Sequence, residues 1–452
     1  MEHMDAVVIG MGPGGETVAG RLLEAGKRVA VVERELIGGE CAYWACVPTK
    51  VLLRPPEVRQ EAEGAAGVGR PDLDWAGLRA YRDRMIRHLD DSAQERGYRD
   101  QGALVVRGQA RVVGCDPWRV EAGGTELTAD HVVVATGSRA ADPPIRGLED
   151  LDSSLVWTNR EATTLTEIPG RALVVGGSAV GVELGQFLAR MGTRVTLVQR
   201  GPRLLDREDP RLGELVADQF ERDGVTVLLG SEVSSVARGG AGVRAVLEGG
   251  RTVEADVVVL ATGRRPRTDG LGLEEAGVRV DSSALVVDER CRAAPGLWGV
   301  GDATGRALFT HVAKYQGRVV ADNILGGDRT ADYTAVPRVV FTSPEAAGVG
   351  LTEEQAGRAG IDTVTSEVDL ARSLARPWTY ETEPRGTLGL VADRGRGVLV
   401  GAWAFGAMAG EWIHTAALAI RTGLPVAVLA DTIPQFPTYN EAYLIALEGL
   451  RM

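Results

Sequence analysis

One pattern occurs twice in this chain, 166 positions apart (6 to 172). Residues 6–33 read AVVIGMGPGGETVAGRLLEAGKRVAVVE and residues 172–199 read ALVVGGSAVGVELGQFLARMGTRVTLVQ; glycines match at 10/176, 15/181 and 26/192, and Arg28-Val29 matches Arg194-Val195. Each copy runs from a short apolar β segment through a Gly-rich turn into a helix and back to an apolar segment, which is the form of a βαβ unit. A chain that carries this unit twice is constrained to parallel sheets with helices on their faces. The expected fold class is therefore α/β, built on two such domains.

The glycines say what the turns are for. In the first copy Gly10-Met11-Gly12-Pro13-Gly14-Gly15 fits G-x-G-x-x-G, whose glycines let backbone approach a pyrophosphate at the N-terminus of the next helix. Glu33, 23 residues after Gly10, is placed to accept hydrogen bonds from an adenosine ribose. In the second copy Gly176 and Gly181 keep the outer glycines, and Ser178 replaces the middle one with a residue still small enough for close approach. The position of Glu33 is taken by Gln199, followed by Arg200 and then Arg203. An acid there repels a 2′-phosphate and an arginine pairs with one, so this site points to NADPH, with NADH as the alternative. These two arginines also fit a solvated surface.

Two further β runs, VVVATGSR (132–139) and VVVLATGRRP (257–266), end in Ala-Thr-Gly and suit crossings between nucleotide domains, adding Thr136, Gly137 and Gly263 to the cofactor-binding candidates. LWGVGDATG (297–305) is strand, turn and acid, with Asp302 placed to bind a second region of the first nucleotide. After about residue 333 the character changes to alternating strands, then apolar helical stretches, an α+β domain of its own. The expected division is 1–148, 149–266, a return segment 267–332 that completes the first domain, and 333–452. Residues 54–64 and 77–100, rich in Arg, Glu and Asp, read as amphipathic helices covering the first domain.

At 452 residues the chain is too long for one core, and 44% apolar with 25% charged residues is ordinary for a globular protein. A net charge of −12 argues against nucleic acid or an anionic membrane as partner. Met1-Glu2-His3-Met4-Asp5 leads straight into a strand and reads as no signal peptide, and no apolar run reaches the roughly 20 residues that span a bilayer. The expected location is the cytoplasm.

Just beyond the first βαβ unit, Cys41-Ala42-Tyr43-Trp44-Ala45-Cys46-Val47-Pro48-Thr49-Lys50 puts two thiols five apart and follows them with a lysine. The chain has four cysteines, and Cys115 and Cys291 lie far from this pair, so it is no disulfide framework of a small secreted protein. No neighbouring cysteine or histidine completes a zinc site. A disulfide used as an electron relay remains. Positions five apart on a regular helix are separated by about 7.5 Å along the axis, beyond the roughly 7 Å Cα spacing a disulfide tolerates. The pair is therefore expected on an irregular turn at a helix start, where positive charge favours the thiolate. Tyr43 and Trp44 are expected to pack around it. Of 50 basic residues only Lys27, Lys50 and Lys314 are lysines, which marks Lys50 as chosen for its compact ammonium.

Together these motifs make the chain resemble the flavin-dependent pyridine nucleotide-disulfide oxidoreductases (class I), the family of glutathione reductase, dihydrolipoamide dehydrogenase and mercuric reductase. GxGxxG at Gly10, GGECAYWACVPTK (38–50), both ATG segments, the second glycine motif, VGD at 300–302 and FPTYNE at 436–441 occur in the family's order over nearly the whole length. The resemblance implies FAD in the first domain, a nicotinamide nucleotide in the second, and a C-terminal domain that pairs two subunits into a homodimer with a shared active site. It implies that Asp302 holds the ribityl and pyrophosphate region of FAD, and that Lys50 lies near the flavin N5 and pairs with Glu183. It also implies that Cys46 is the flavin-side thiol and Cys41 the outer, exchanging one.

One departure matters. The family usually closes with His-Pro-Thr-x-x-Glu, a histidine that serves the partner subunit's outer thiol as acid-base catalyst, oriented by the glutamate. Here Phe436 takes the histidine's place ahead of Glu441, and phenylalanine carries no proton, so help of roughly 10²- to 10⁴-fold is missing there. Mercuric reductase-like members and the coenzyme M-linked ketone reductase/carboxylase also have an apolar residue at this point. The final residues Glu448 to Met452 carry no cysteine pair for metal delivery, and no N-terminal metal-binding domain is read. His414 is a candidate substitute base, and Glu441 a catalytic or helix-capping residue. The leading expectation is an NADPH-dependent FAD disulfide reductase of a small acceptor. Two readings stand beside it: a reductase of quinones, metal ions or oxygen that bypasses the outer thiol, and a redox-sensing flavoprotein.

Overall fold

The computed structural model describes residues 2–240 and 242–452, which gather into two compact units. One holds the chain through Pro48, Ala80–Ala141 and Gly263–Asp332; the other holds Thr49–Arg79, Asp142–Thr262 and Tyr333–Met452.

The sheet of the first unit runs in the order Arg292–Ala294, Leu297–Gly299, Thr125–Val134, Glu2–Ile9, Val29–Glu33, Leu104–Arg107. Glu2–Ile9 lies parallel between Val29–Glu33 and Thr125–Val134. Covered on both faces, it has no polar alternation at its end, and Ala6, Val7 and Val8 are fully buried. The strand order reverses at this strand, which places a crevice at its carboxyl end, where Gly10 begins the glycine loop. An antiparallel hairpin, Ala110–Cys115 with Trp118–Ala122, extends the sheet through Thr125–Val134. The helix Thr310–Ile324 packs on the first glycine-loop helix, Pro13–Glu24, backbone to backbone. A Cβ at Gly317 would lie 2.9 Å from the Gly14 carbonyl oxygen.

In the second unit a parallel sheet runs Thr226–Leu229, Arg194–Gln199, Arg171–Val175, Val257–Leu260, Val156–Trp157. Its order reverses at Arg171–Val175, so the sequence repeat is also a repeat of topology. The C-terminal strands form a five-stranded antiparallel sheet in the order Arg338–Val340, Glu345–Gly350, Val398–Gly406, Thr387–Asp393, Thr363–Asp369. Every position of Val398–Gly406 and Thr387–Asp393 is buried. On one side Leu388, Leu390 and Ala404 share a core with Trp412, Ile413 and Ala416; Trp403 and Phe405 join the core that holds Phe187, Phe220 and Leu197.

The charged segments differ from their expected form. Residues 54–64 are the end of a helix that begins at Cys46 and carries Pro55 and Pro56 inside it. Its Leu52 and Leu53, with Leu78, are buried beside Val174, Phe187 and Leu197, so residues 49–79 belong to the second unit rather than covering the first. The segment expected over 77–100 is instead two helices, Trp75–Met85 and Ser92–Asp100. Between them Arg87, His88 and Leu89 adopt positive φ of 53°, 51° and 60°, a left-handed turn that breaks the helix. Among the described residues no helix is long and apolar enough to cross a membrane.

Candidate active site

The two glycine loops share one geometry. Gly10 has φ +96° and a Cβ there would fall 2.5 Å from the Ala135 carbonyl oxygen; at Gly176, φ is +109° and the distance to the Ala261 oxygen is 2.4 Å. A Cβ at Gly15 would lie 2.0 Å from the Gly10 oxygen, and at Gly181 1.9 Å from the Gly176 oxygen. These glycines permit the turn and the close seating of helix on strand. Gly12 differs: a Cβ there meets only the Gly39 Cα, at 3.9 Å. Ser178 takes the same position in the second loop and donates its hydroxyl to the Ala261 carbonyl at 2.9 Å. Neither Gly12 nor Ser178 caps its helix, Pro13–Glu24 or Ala179–Arg190, with a side chain, which leaves the helix start without a side-chain acceptor, the arrangement that suits an anion. Gly14 is packed inward, its Cβ position 3.1 Å from Val300 Cγ2.

Glu33 is buried, and its two carboxylate oxygens accept the backbone N–H groups of Met11 and Glu35, each at 2.8 Å. Gln199 repeats the first of these contacts, accepting the Gly177 N–H at 2.9 Å, without the charge. Asp302 lies in the turn Gly301–Thr304 and accepts the Ser138 hydroxyl at 2.5 Å; burial pushes its carboxyl above the usual range, against the pull of Ser138 and Arg264. Gln316 fixes that turn by accepting the Gly301 N–H at 2.6 Å. Thr136 donates its hydroxyl to the Arg267 carbonyl, while the position a Cβ would take at Gly137 and at Gly263 is open. Arg264 joins Ser138 to Glu40, the residue before the first thiol, and Arg267 contacts the same carboxylate.

The thiols sit where two helices fail to join. Cys41 lies in Gly39–Tyr43 and Cys46 is the first residue of the helix Cys46–Gly64; Trp44, at φ −136° and ψ 0°, breaks the path between them. The break removes the axial separation a continuous helix would impose. Cys46 Sγ is 3.2 Å from the Thr310 hydroxyl. Contact with Cys46, and then burial, push the Cys41 thiol up, while Thr310 and Lys314 pull it down. Tyr43 is fully buried, its hydroxyl donating to the Ile37 carbonyl at 3.1 Å, and its ring lies 5.8 Å from that of Trp44.

In the second unit Lys50 Nζ is 2.7 Å from Glu183 Oε2. Glu183, on Ala179–Arg190, is buried, and its other oxygen accepts the Phe341 N–H at 2.9 Å. The Phe341 ring lies 4.6 Å from the Lys50 nitrogen. The pair is thus a half-open ammonium held by a buried, doubly bonded carboxylate. Arg200 is exposed. Phe436 is 76% exposed, and Ile433 beside it 93%. Glu441 starts the last helix and accepts the Thr438 N–H at 3.2 Å, the position of a helix-capping side chain. His414 is exposed at the start of His414–Thr422.

Residues 4–317 match the family model for pyridine nucleotide-disulphide oxidoreductase, and residues 336–446 match that family's dimerisation domain. The chain belongs to this family. It is 36% identical to a dihydrolipoyl dehydrogenase of Thermus scotoductus over all of this chain and 98% of the other. It is 37% identical to a mercuric reductase of Streptomyces lividans over 98% of this chain and 95% of that one. The solved structure of the HOCl-induced flavoprotein disulfide reductase RclA from Escherichia coli, as its Cu(II) complex, superposes with a TM-score of 0.88 at 28% identity, covering 98% of this chain and 99% of that one. The enzyme is accordingly an FAD-dependent oxidoreductase that uses a nicotinamide nucleotide and acts on a sulfur group or a related acceptor. Its dimerisation domain supports a homodimer.

FAD fits the residues of the first unit. The uncapped helix start and the open face at Gly12 suit its pyrophosphate, Glu33 its adenosine ribose, and Asp302 its ribityl region. Sequence reasoning passed over Thr310, Phe341, Ser138, Arg264 and Glu40. Thr310 and Phe341 stand in no quoted motif, whereas Ser138 and Arg264 each directly follow an Ala-Thr-Gly run and Glu40 directly precedes the first thiol.

Proposed function

We propose that this enzyme takes a hydride from NADPH and passes the electron pair through the Cys41/Cys46 disulfide to a small acceptor, with Cys46 on the flavin side and Cys41 on the acceptor side. The observation that carries the reading is the placement of the two cysteines on either side of the break between their helices, with Cys46 tied to Thr310. Bound FAD would supply the two-electron relay between nicotinamide and disulfide. Lys50 keeps a positive charge four residues beyond Cys46 on the same helix, and the buried Glu183 holds that ammonium in place. NADPH is favoured because Gln199 caps its loop without a negative charge and Arg200 stands exposed beside it. Arg203 also has a buried Nε without a hydrogen-bond partner. The exposed Phe436 and Ile433 fit a segment that reaches a second copy of the chain and completes a shared site.

The test is anaerobic reduction with NADPH followed by thiol titration at Cys41 and Cys46. Two new thiols per chain support the relay, and a reduced flavin with none refutes it. For the nucleotide, Arg200→Ala with Gln199→Glu should shift the NADPH-to-NADH ratio of kcat/KM toward NADH by roughly ten-fold or more, the scale of a lost charge-assisted pair. An unchanged ratio removes the preference.

Phe436 favours a second reading, in which quinones or metal ions take electrons without the outer thiol. Full quinone turnover by Cys41→Ser would support that bypass, and its loss would support the relay.

A further inference from the structure

We propose that Lys314 is the counter-charge of the Cys41 thiolate, serving the outer thiol by electrostatics where a histidine would serve it by proton transfer. The proposal rests on the relay reading above.

The helix Thr310–Ile324 begins at the thiols. Its first residue, Thr310, places its hydroxyl 3.2 Å from Cys46 Sγ. Phe309 gives this helix no side-chain cap, so the first-turn N–H groups add positive potential at the same end. Lys314 stands four residues on, on the face of Thr310, and is exposed, whereas Val312, Ala313, Gln316 and Gly317 are buried. Its charge draws down the Cys41 thiol and the carboxyl of Glu16, which stands in the first turn of the glycine-loop helix Pro13–Glu24.

The groups around Cys41 leave this role open. On its own short helix, the Glu40 carboxylate is taken by Arg264 and Arg267. From the next helix comes Cys46, and from Thr310–Ile324 come Thr310 and Lys314. Glu16 is largely buried, its carboxyl raised first by burial and drawn back by Lys314 and Arg87. In a chain with three lysines among 50 basic residues, one lysine stands a helical turn beyond the threonine that touches Cys46.

The chemistry needs such a charge. Two electrons break the Cys41–Cys46 bond and, with one proton, leave a Cys46 thiolate and a Cys41 thiol. To exchange, Cys41 must lose that proton. Its thiolate attacks an acceptor disulfide, forming a mixed disulfide and releasing one acceptor thiolate. Cys46 then attacks the Cys41 sulfur, restoring the internal disulfide and releasing the second, and both released thiolates take protons from water. With Phe436 in the histidine's place, a fixed cation that lowers the cost of the Cys41 anion replaces a base.

The experiment is pulsed alkylation of reduced holoenzyme with iodoacetamide, without oxygen, over about pH 5 to 10, reading Cys41 by peptide mass spectrometry. Lys314→Met should move the Cys41 midpoint up by roughly half to one pH unit, slowing labelling below it by roughly three- to ten-fold. Lys314→Arg should restore the wild-type profile. A Lys314→Met profile that superimposes on wild type overturns the proposal. Reduction by NADPH and by dithiothreitol in parallel separates the two claims. Thiols released only by dithiothreitol would sink the relay, while the shift between variants still reports on Lys314.

Discussion

Lys50 and Glu183 carry a measurable coupling. The ion pair is 2.7 Å long, with side-chain exposures of 36% for Lys50 and 6% for Glu183. At an effective dielectric near 20, that distance corresponds to a gross attraction of about 6 kcal/mol. Desolvation of Glu183 offsets most of it, and the open side of Lys50 screens part of the rest, leaving a net coupling of about 2 kcal/mol. Lys50→Met strands the buried carboxylate with the Phe341 N–H as a remaining donor. Glu183→Gln keeps the acceptor for Phe341 and turns an amide N–H against the ammonium. Each change should cost about 2 to 3 kcal/mol, and the double variant should cost about 2 kcal/mol less than the sum. Thermal unfolding of all four proteins at one protein and FAD concentration measures this, because ligand and concentration otherwise shift the midpoint. Strictly additive losses would show that the two charges are not coupled, and the reading of Glu183 as the anchor of Lys50 would fall.

Three further outcomes are expected. Burial first, with Glu57, Glu411 and Glu183 adding to it against the Gly410 N–H, raises the Glu345 carboxyl from its ordinary 4.5 to about 7. Glu345 thus holds its proton more tightly folded than unfolded, so its stabilising contribution is full below about 4.5 and is lost as pH rises through about 7. Glu345→Gln, which can still accept the Gly410 N–H, should flatten the fall in melting temperature between those limits, and an identical slope would refute the assignment. Gly12→Ala should leave the flavin-free protein within about 0.5 kcal/mol of wild type yet lower its FAD content. Gly15→Ala, whose Cβ would fall 2.0 Å from the Gly10 oxygen, should destabilise even the flavin-free chain by about 3 kcal/mol or more, so equal effects in calorimetry would contradict the two roles. Phe436→His should raise turnover on small disulfides, by roughly 10²-fold if the new imidazole reaches the outer thiol; steady-state assays showing no gain would refute the reading that Phe436 withholds proton transfer from that thiol.

Much of the architecture was legible because its causes are local. A β-branched run ending in a glycine that must take positive φ, then a helix seated on a glycine with no room for Cβ, is written in a dozen consecutive residues, and the chain writes it at Gly10 and again at Gly176. Other local events left no mark. The left-handed turn at Arg87, His88 and Leu89 uses no glycine, and the helix from Cys46 runs through Pro55 and Pro56, so the charged segments were given the wrong limits.

The active site divides along the same line. Sequence alone determined the paired thiols, the lysine after them, the acid or amide that closes each glycine loop, and the phenylalanine where a proton carrier is usual, since each is a residue type at a fixed spacing. Only the tertiary structure decided what those groups face. Thr310 reaches Cys46 across 264 positions, Phe341 closes on Glu183 across 158, and Arg264 reaches Glu40 across 224. Lysine scarcity singled out Lys50 and left Lys314 without a task; only the packing of Thr310–Ile324 against Cys46 set Lys314 a turn beyond that contact. Spacing along a chain specifies backbone turns and helix faces; the charge a thiol meets depends on which distant helix the sheet order brings to it.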